Sequence, residues 1–166
     1  MSDIWIISDT HFHHENIIKF SDRPFKDSYH MNEMLIQNWN SLIKPKDKVY
    51  HLGDVYMGSN EDGAKVLSRL NGRKRLVLGN HDDPKQQALW KYFDKIMLWR
   101  PLSDFKVLLT HLPVHLSTFD MGGVRKDWIN VHGHIHNQEP PTERHINVCV
   151  EKTNYHPINI EQFRYC

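Results

Sequence analysis

Residues 4–17 read IWIISDTHFHHENI, in which Asp9-Thr10-His11 comes just after an apolar run. The same succession, an apolar run and then residues of types that ligate metals, occurs four more times. The later clusters are Gly53-Asp54, Gly79-Asn80-His81-Asp82, Leu109-Thr110-His111 and Gly133-His134-Ile135-His136. Because ligands of an α/β fold bind beyond the carboxyl ends of its strands, the five clusters are expected to converge on one place. This pattern predicts a hydrolytic site that holds two metal ions.

The apolar runs before the clusters predict β-strands, and helical periodicity occupies the intervals between several of them. Strands are predicted at residues 4–7, 49–52, 76–78, 107–109 and 129–131. Helices are predicted over residues 31–43, from an N-cap at Asn60 to residue 70, and from Pro84 to residue 92. Beyond residue 95 the apolar segments are short, which favours a mixed sheet. No repeat or linker interrupts the chain, so residues 1–166 are expected to form one α/β domain.

The composition sets limits on partners and location. With 21 Lys and Arg against 20 Asp and Glu, no excess positive charge favours duplex nucleic acid or an anionic membrane. No apolar run approaches the ~18 residues of a membrane span, and the first strand begins too early to leave room for a signal peptide. Cys149 and Cys166 are too few for a disulfide framework and lie outside the clusters, so thiolate ligation of a metal is not expected. We expect a cytoplasmic protein; protein partners stay open.

The clusters supply the ligands that a pair of divalent cations requires. A bridging carboxylate can use both of its oxygens, and Asp54, at the end of a central strand, is the natural candidate. Asp9, His11 and one histidine of the last cluster are expected to hold one ion. The second ion is assigned to Asn80, His111 and the other histidine of that cluster. Nitrogen and oxygen ligands without thiolate favour Mn²⁺ first, with Fe, Zn²⁺ or Ni²⁺ as alternatives.

The ordered motifs D-x-H, GD, GNHD, a histidine after an apolar strand, and GHxH resemble the calcineurin-like metallophosphoesterase superfamily. The chain is most similar to its small, cap-less bacterial and phage phosphoesterases, through residues 8–17 and through residues 147–155 near its end. The resemblance implies a four-layer α/β/β/α sandwich of two mixed sheets flanked by helices. It also implies a division of the ligands into Asp9, His11, Asp54 and His136 for the first metal and Asp54, Asn80, His111 and His134 for the second.

The resemblance further implies a reaction. His81 matches the histidine that contacts the scissile phosphate and acts as general acid for the leaving group, and Asp82 is expected to orient its ring. The reaction would be in-line attack of a metal-bridging hydroxide on a small phosphodiester, such as a nucleotide or cyclic nucleotide. A phosphomonoesterase, or a metal-bound interaction module without turnover, are the alternatives. Protein Ser/Thr phosphatases of the superfamily carry Asp-Arg-Gly after the GD motif and Glu after Gly-Asn-His. Here Val55-Tyr56-Met57-Gly58 follow Asp54 and the later motif ends in Asp82, so a protein phosphatase is not expected.

Substrate contacts are harder to assign. Arg125 follows Gly122-Gly123 in a predicted loop between two ligand clusters, where a guanidinium would clamp a phosphate. His14 and, more weakly, Arg23 are further candidates. His13 stands where the relatives favour glycine and is expected to be exposed and non-essential, and His115 is expected to pack under a loop. The tryptophans are expected in or near the core rather than on a base-stacking surface; they are Trp5, Trp39, Trp90, Trp99 and Trp128.

Overall fold

The computed structural model describes residues 2–164, so Cys166 lies outside the described residues. The strands are β1 (Ile4–Ile7), β2 (Lys48–His51), β3 (Arg73–Val77), β4 (Lys95–Met97), β5 (Trp99–Leu102), β6 (Val107–Thr110), β7 (Ile129–His132), β8 (His145–Asn147) and β9 (Ile158–Asn159). The helices are α1 (Glu15–Phe20), α2 (Ser28–Leu42), α3 (Asn60–Leu67), α4 (Gln87–Tyr92) and α5 (Leu116–Asp120), with short 3₁₀ helices at Ser103–Phe105 and Ile160–Phe163.

The strands form two mixed sheets. The first has the order β4-β3-β2-β1-β9, in which β1 to β4 are parallel and β9 is antiparallel to β1. The second has the order β5-β6-β7-β8, in which β6, β7 and β8 are parallel and β5 is antiparallel to β6. The predicted fold class, two mixed sheets flanked by helices, is confirmed.

The alternation of side chains along the strands explains why helices and sheets pack in layers. Successive side chains of a strand face opposite sides of its sheet. On β1, Ile7 packs with Trp39 of α2 in one core, whereas Ile6 packs with Val131 of β7 in a second core between the sheets. A third, smaller cluster places Phe119 of α5 against the outer face of the second sheet. Helices therefore cover both outer faces of a two-sheet sandwich, and the carboxyl ends of the parallel strands meet at its edge.

The helix boundaries differ in detail from those predicted. The N-cap of α3 is Ser59 and not Asn60, because the Ser59 hydroxyl and the Asp62 carboxylate form a reciprocal capping box. The helix predicted from Pro84 begins at Gln87. The helices α1 and α5 were not predicted, since they span six and five residues and are too short to show a period.

Two of the five tryptophans correct the expectation of core placement. Trp39 and Trp128 are buried, but Trp90 and Trp99 are each 61% exposed. Trp99 begins β5, an edge strand of the second sheet, which leaves its indole uncovered on one side. Within residues 2–164, no helix has both the length and the apolar character that crossing a membrane would take.

Candidate metal centre

The predicted ligands gather at the carboxyl-terminal edge of the two sheets. Each one follows a parallel strand, where the backbone turns away from the sheet. Five of them adopt the left-handed conformation that non-glycine residues seldom take; these are Asp9 (φ 58°), His11 (48°), Asp54 (56°), His134 (70°) and His136 (49°). Each such position costs roughly 1–3 kcal/mol, and strain of this kind concentrates at functional sites. The strand ends are therefore shaped to aim side chains at one point.

Asp54 lies between the two halves of the site. The first half contains the predicted ligands Asp9, His11 and His136, and the second half contains Asn80, His111 and His134. Its Oδ2 is 3.5 Å from Nε2 of His11 and 3.5 Å from Nε2 of His111. Its Oδ1 instead accepts a hydrogen bond of 2.9 Å from the backbone N–H of His81. A single oxygen of Asp54 thus faces both halves, whereas the sequence suggested that both oxygens would be used.

The first half of the site leaves buried polar atoms without hydrogen bonds. Asp9 Oδ2 accepts from Ser8, from the backbone of His134 and from Cys149. Among residues 2–164, Asp9 Oδ1 and both ring nitrogens of His11 have no partner. Nε2 of His11 lies 3.7 Å from Asp9 Oδ1, and Nε2 of His136 lies 3.8 Å from it. Because buried polar groups are almost always bonded, these atoms fit the ligands of a cation.

The charge state of Asp9 agrees with this arrangement. Burial alone would raise the pKa of its carboxyl group, but the nearby imidazoles of His11 and His111 and the Ser8 hydroxyl hold that pKa well below its ordinary value. The group is therefore an anion at neutral pH, as a metal ligand must be.

The second half of the site shows the same need for a cation. Nδ1 of His111 lies 2.7 Å from the carbonyl oxygen of Leu52, to which it can only donate. Its Nε2 then carries the lone pair of the neutral ring and faces Oδ1 of Asn80 at 2.8 Å and Oδ2 of Asp54 at 3.5 Å. Nδ1 of His134 also lies 2.8 Å from Asn80 Oδ1. Electron pairs of several ligand atoms converge here, and a divalent cation would relieve their repulsion.

Grouping the ligand atoms by distance gives the same division. In each of three trios, all ligand atoms lie within 4.8 Å of one another. The trios are Asp9-His11-Asp54, Asp54-His111-His134 and Asp9-His136-Cys149. Two of them share Asp54. The donor set therefore fits divalent cations, and nitrogen and oxygen atoms dominate it.

The third trio corrects the expectation that the cysteines lie away from the clusters. Cys149 is fully buried, and its Sγ donates to Asp9 Oδ2 over 3.2 Å. Burial, with the nearby carboxylates of Asp9 and Glu151, raises the pKa of this thiol far above its usual range. As a protonated donor it helps to fix Asp9, which is a role that the sequence pattern did not reveal.

Gly133 is required by a close approach to Asp9. A Cβ atom at Gly133 would lie 2.0 Å from Ser8 Oγ and 2.2 Å from Asp9 Oδ2. No side chain fits in that space, so the glycine of the last cluster lets β7 end directly against the first cluster. Gly133 is therefore needed for packing, whereas the residues that follow it in the motif are the predicted ligands.

Glu151 is a site residue that the sequence analysis missed. Nδ1 of His136 lies 3.0 Å from its Oε1, which fixes the tautomer so that the Nε2 lone pair faces Asp9. The nearest sequence signal is its place just after Val148-Cys149-Val150, within the segment that resembles the small phosphoesterases. No metal-ligand motif includes it.

Arg23 corrects an expected substrate contact. Its guanidinium is buried and donates to the backbone carbonyls of Asp9 and Thr10 and to Glu151. Those bonds hold the first cluster against Glu151. The side chain is therefore occupied inside the protein and does not face a substrate.

Asp82 also differs from its predicted role. Its Oδ2 accepts from the backbone N–H groups of Asp54 and Gly79, and its Oδ1 accepts from Val55. Both oxygens are used in joining the second cluster to the third, so the carboxylate does not orient the ring of His81. Burial raises the pKa of Asp82.

Of the other histidines, His81 and His14 lie beside the ring of His11, whereas His13 and His115 make other contacts. His81 is exposed, with its ring centroid 5.6 Å from that of His11, and His14 is half-buried at 5.5 Å from the same ring. His14 also caps α1 through Nδ1. His13 is not free as expected: its Nε2 lies 3.1 Å from the Asp62 carbonyl, and its φ of 64° explains why glycine suits this position. His115 is exposed and caps α5.

Arg125 borders a cleft that continues from the ligands Asn80 and His111. Its guanidinium carbon lies 4.2 Å from the ring centre of Trp128, a stacking geometry that limits its movement. Of the three predicted substrate contacts, His14 lies beside the ring of His11, and Arg125 lines the same cleft as Asn80 and His111. Both are partly exposed, whereas Arg23 is buried.

Comparison with known proteins agrees with the fold. The family model of the calcineurin-like phosphoesterase superfamily domain matches residues 3–151, and the chain belongs to that superfamily. An uncharacterized protein of Methanocaldococcus jannaschii is 37% identical over 97% of this chain and 89% of its own length. The gene 66 protein of Mycobacterium phage L5 is 30% identical over 82% of this chain and 78% of its own. The crystal structure of an Aquifex aeolicus protein of unknown function is similar with a TM-score of 0.78, at 31% identity over 98% of this chain and 97% of that one.

Proposed function

We propose that this protein hydrolyses a small phosphodiester, of the nucleotide or cyclic-nucleotide kind, at a centre of two divalent cations. The observation that carries the proposal is Oδ2 of Asp54, which lies 3.5 Å from a histidine nitrogen of each half of the site. A carboxylate that belongs to two neighbouring ligand trios is suited to lie between two cations. Membership of the calcineurin-like phosphoesterase superfamily supports phosphate esters as the substrate class.

The first cation would be held by Asp9, His11, Asp54 and His136, and the second by Asp54, Asn80, His111 and His134. When bound, such cations supply Lewis acidity, which lowers the pKa of water and offsets charge on the phosphate. Mn²⁺ is proposed first, because the donors are nitrogen and oxygen atoms and Asn80 suits an ion that prefers oxygen.

His81 is proposed to protonate the oxygen of the leaving group. Its backbone N–H is fixed on Asp54 Oδ1 at 2.9 Å, and its exposed ring lies beside that of His11. The side chain is thus free to reach a substrate whose phosphorus lies between the two halves. A positioned general acid contributes typically about 10²–10⁴-fold to the rate. Arg125 and His14 are the proposed contacts for the other phosphate oxygens.

The test compares turnover of bis-p-nitrophenyl phosphate and p-nitrophenyl phosphate by the Mn²⁺-reconstituted protein and its His81→Asn variant. We expect preference for the diester, and a loss of about 10²-fold or more in the variant with its metal content unchanged. His156→Asn is the matched control, since its ring contacts the Asn154 carbonyl of its own turn.

Preference for the monoester would make the protein a phosphomonoesterase. Two bound metals without turnover of either ester would instead favour a binding module and contradict the proposal.

A further inference from the structure

A cleft of about 700 Å³ opens from the ligands of the second half of the site. Asn80, His111 and Arg125 are among the residues that line it. The remaining wall is largely apolar and includes Leu98, Trp99, Pro101, Leu112, Val114 and Phe119. A cleft of this size with a few polar groups at defined points is typical of sites for small molecules.

The apolar wall is unusually exposed. Leu98 is 65% exposed, Trp99 61% and Leu112 48%, although side chains of this size usually bury most of their surface. Contiguous exposed apolar surface commonly marks a binding site. Trp99 and Leu98 immediately follow β4, at the point where the chain passes from the first sheet into β5 of the second. Their place in the lining of the cleft follows from that crossing.

The charges around the cleft restrict what it accepts. Among the described residues that line it, Arg125 is the one cationic side chain, and the carboxylate of Asp82 is engaged by three backbone N–H groups. The wall therefore offers little to a second highly charged group. It favours a flat apolar ring that is joined, directly or through a linking group, to a phosphate lying near Asn80 and His111.

We propose that this cleft binds an aromatic substituent of the phosphate ester, such as a nucleobase, and that Trp99 is the residue against which the ring stacks. The inference rests on the proposed function, because it places the phosphate at the metal centre. It narrows the substrate class from small phosphodiesters to those that carry an aromatic group within reach of Trp99.

The test measures binding by calorimetry, with inert phosphonates and the Mn²⁺-loaded protein. We expect 1-naphthylphosphonate to bind at least about 10-fold more tightly than methylphosphonate, since stacking of a ring on an aromatic side chain commonly contributes that much. Trp99→Ala should remove most of that preference and leave the affinity for methylphosphonate unchanged. Trp90→Ala is the matched control, because Trp90 is also 61% exposed and does not line the cleft.

A second variant, Leu112→Gln, guards against misfolding of Trp99→Ala, and it should weaken the naphthyl compound selectively. Equal affinity for the two phosphonates, no binding of either, or equal loss of both in Trp99→Ala would overturn the inference. Selective naphthyl binding without ester turnover would contradict the proposed hydrolysis but support the binding of an aromatic group in the cleft. Ester turnover without a preference for the naphthyl compound would support the hydrolysis and contradict the role of the cleft.

Discussion

Glu151 lies 3.0 Å from His136, with its Oε1 facing Nδ1 of the ring. Burial alone would raise the pKa of Glu151, but hydrogen bonding to His136 and the charge of Arg23 hold that pKa below its ordinary value. A buried anion therefore accepts from one side of the imidazole and leaves Nε2 for a cation on the other. Arg23 in turn connects Glu151 to the backbone of Asp9.

The first prediction concerns Glu151→Gln. Neutralising this group should weaken Mn²⁺ binding by about 10–100-fold, because partners that orient a metal-ligating histidine commonly contribute that much. Calorimetric titration of the metal-free protein measures the effect. Glu139→Gln is the control, since Glu139 is 85% exposed at its side chain and pairs with Lys152. An unchanged affinity would mean that Glu151 does not position His136.

A second prediction follows from the space beside Gly133. In Gly133→Ala the new methyl group would meet Ser8 Oγ and Asp9 Oδ2, so Asp9 must move. Overpacking of this kind costs about 1–3 kcal/mol of folding free energy, and the displaced ligand should also lower the amount of bound metal. Urea unfolding and metal analysis measure the two effects.

Gly122→Ala is the control for backbone strain. Gly122 also has a positive φ, of 67°, but its Cβ would meet nothing within 4 Å. It should lose some stability and retain its metal. Equal metal loss in both variants would argue against the contact with Asp9.

Asp82→Asn should destabilise the protein by about 1–3 kcal/mol, because an amide nitrogen would then face a backbone N–H that now donates to a carboxylate. Activity should fall through the shift of the strand ends, with the pH dependence of turnover unchanged. Denaturant unfolding and a pH–rate profile measure these effects. Asp83→Asn, one residue further and exposed, should be close to wild type in both. An altered pH profile in Asp82→Asn would instead support the predicted role of Asp82 in orienting the ring of His81.

His51 predicts a pH dependence of stability. Burial lowers its pKa from 6.5 to about 3. Its Nδ1 accepts from the Gly53 N–H, and its Nε2 contacts the Thr10 hydroxyl, which donates to the Val55 carbonyl. The neutral ring satisfies both contacts, whereas a second ring proton would face the Gly53 N–H.

Below pH 6.5 the unfolded chain therefore binds a proton at this position that the folded chain does not. The stability contributed by neutral His51 is fully present above that pH and is lost as the pH falls toward 3. One such proton changes the free energy of unfolding by about 1.4 kcal/mol per pH unit. Urea unfolding of the metal-free protein between pH 6 and 5 should show a slope smaller by about this amount in His51→Gln. Equal slopes would contradict the assignment, whatever the absolute stability of the variant.

Local sequence patterns were sufficient to predict much of the fold. The strand Ile4–Ile7 and the long helix α2 were predicted within a few residues, because four apolar residues before a polar cluster and a stripe at helical spacing are signals carried by neighbours in the sequence. The five-residue α5 gave no such signal. The exposure of Trp99 was also missed, since it depends on the place of β5 at a sheet edge and not on any property of the residue.

The sequence by itself determined the residue types of the proposed ligands and their positions at strand ends. Both are local properties, which the order Asp9-x-His11, Gly53-Asp54 and Gly133-His134-x-His136 records directly. Only the tertiary structure decided how these groups are held. Cys149 meets Asp9 across 140 positions of the chain, and Arg23 meets Glu151 across 128. Such contacts depend on how two sheets and their connecting loops pack, for which no periodicity exists. The same packing places Trp99 and Arg125 in the lining of the cleft that the proposed ligands Asn80 and His111 also line.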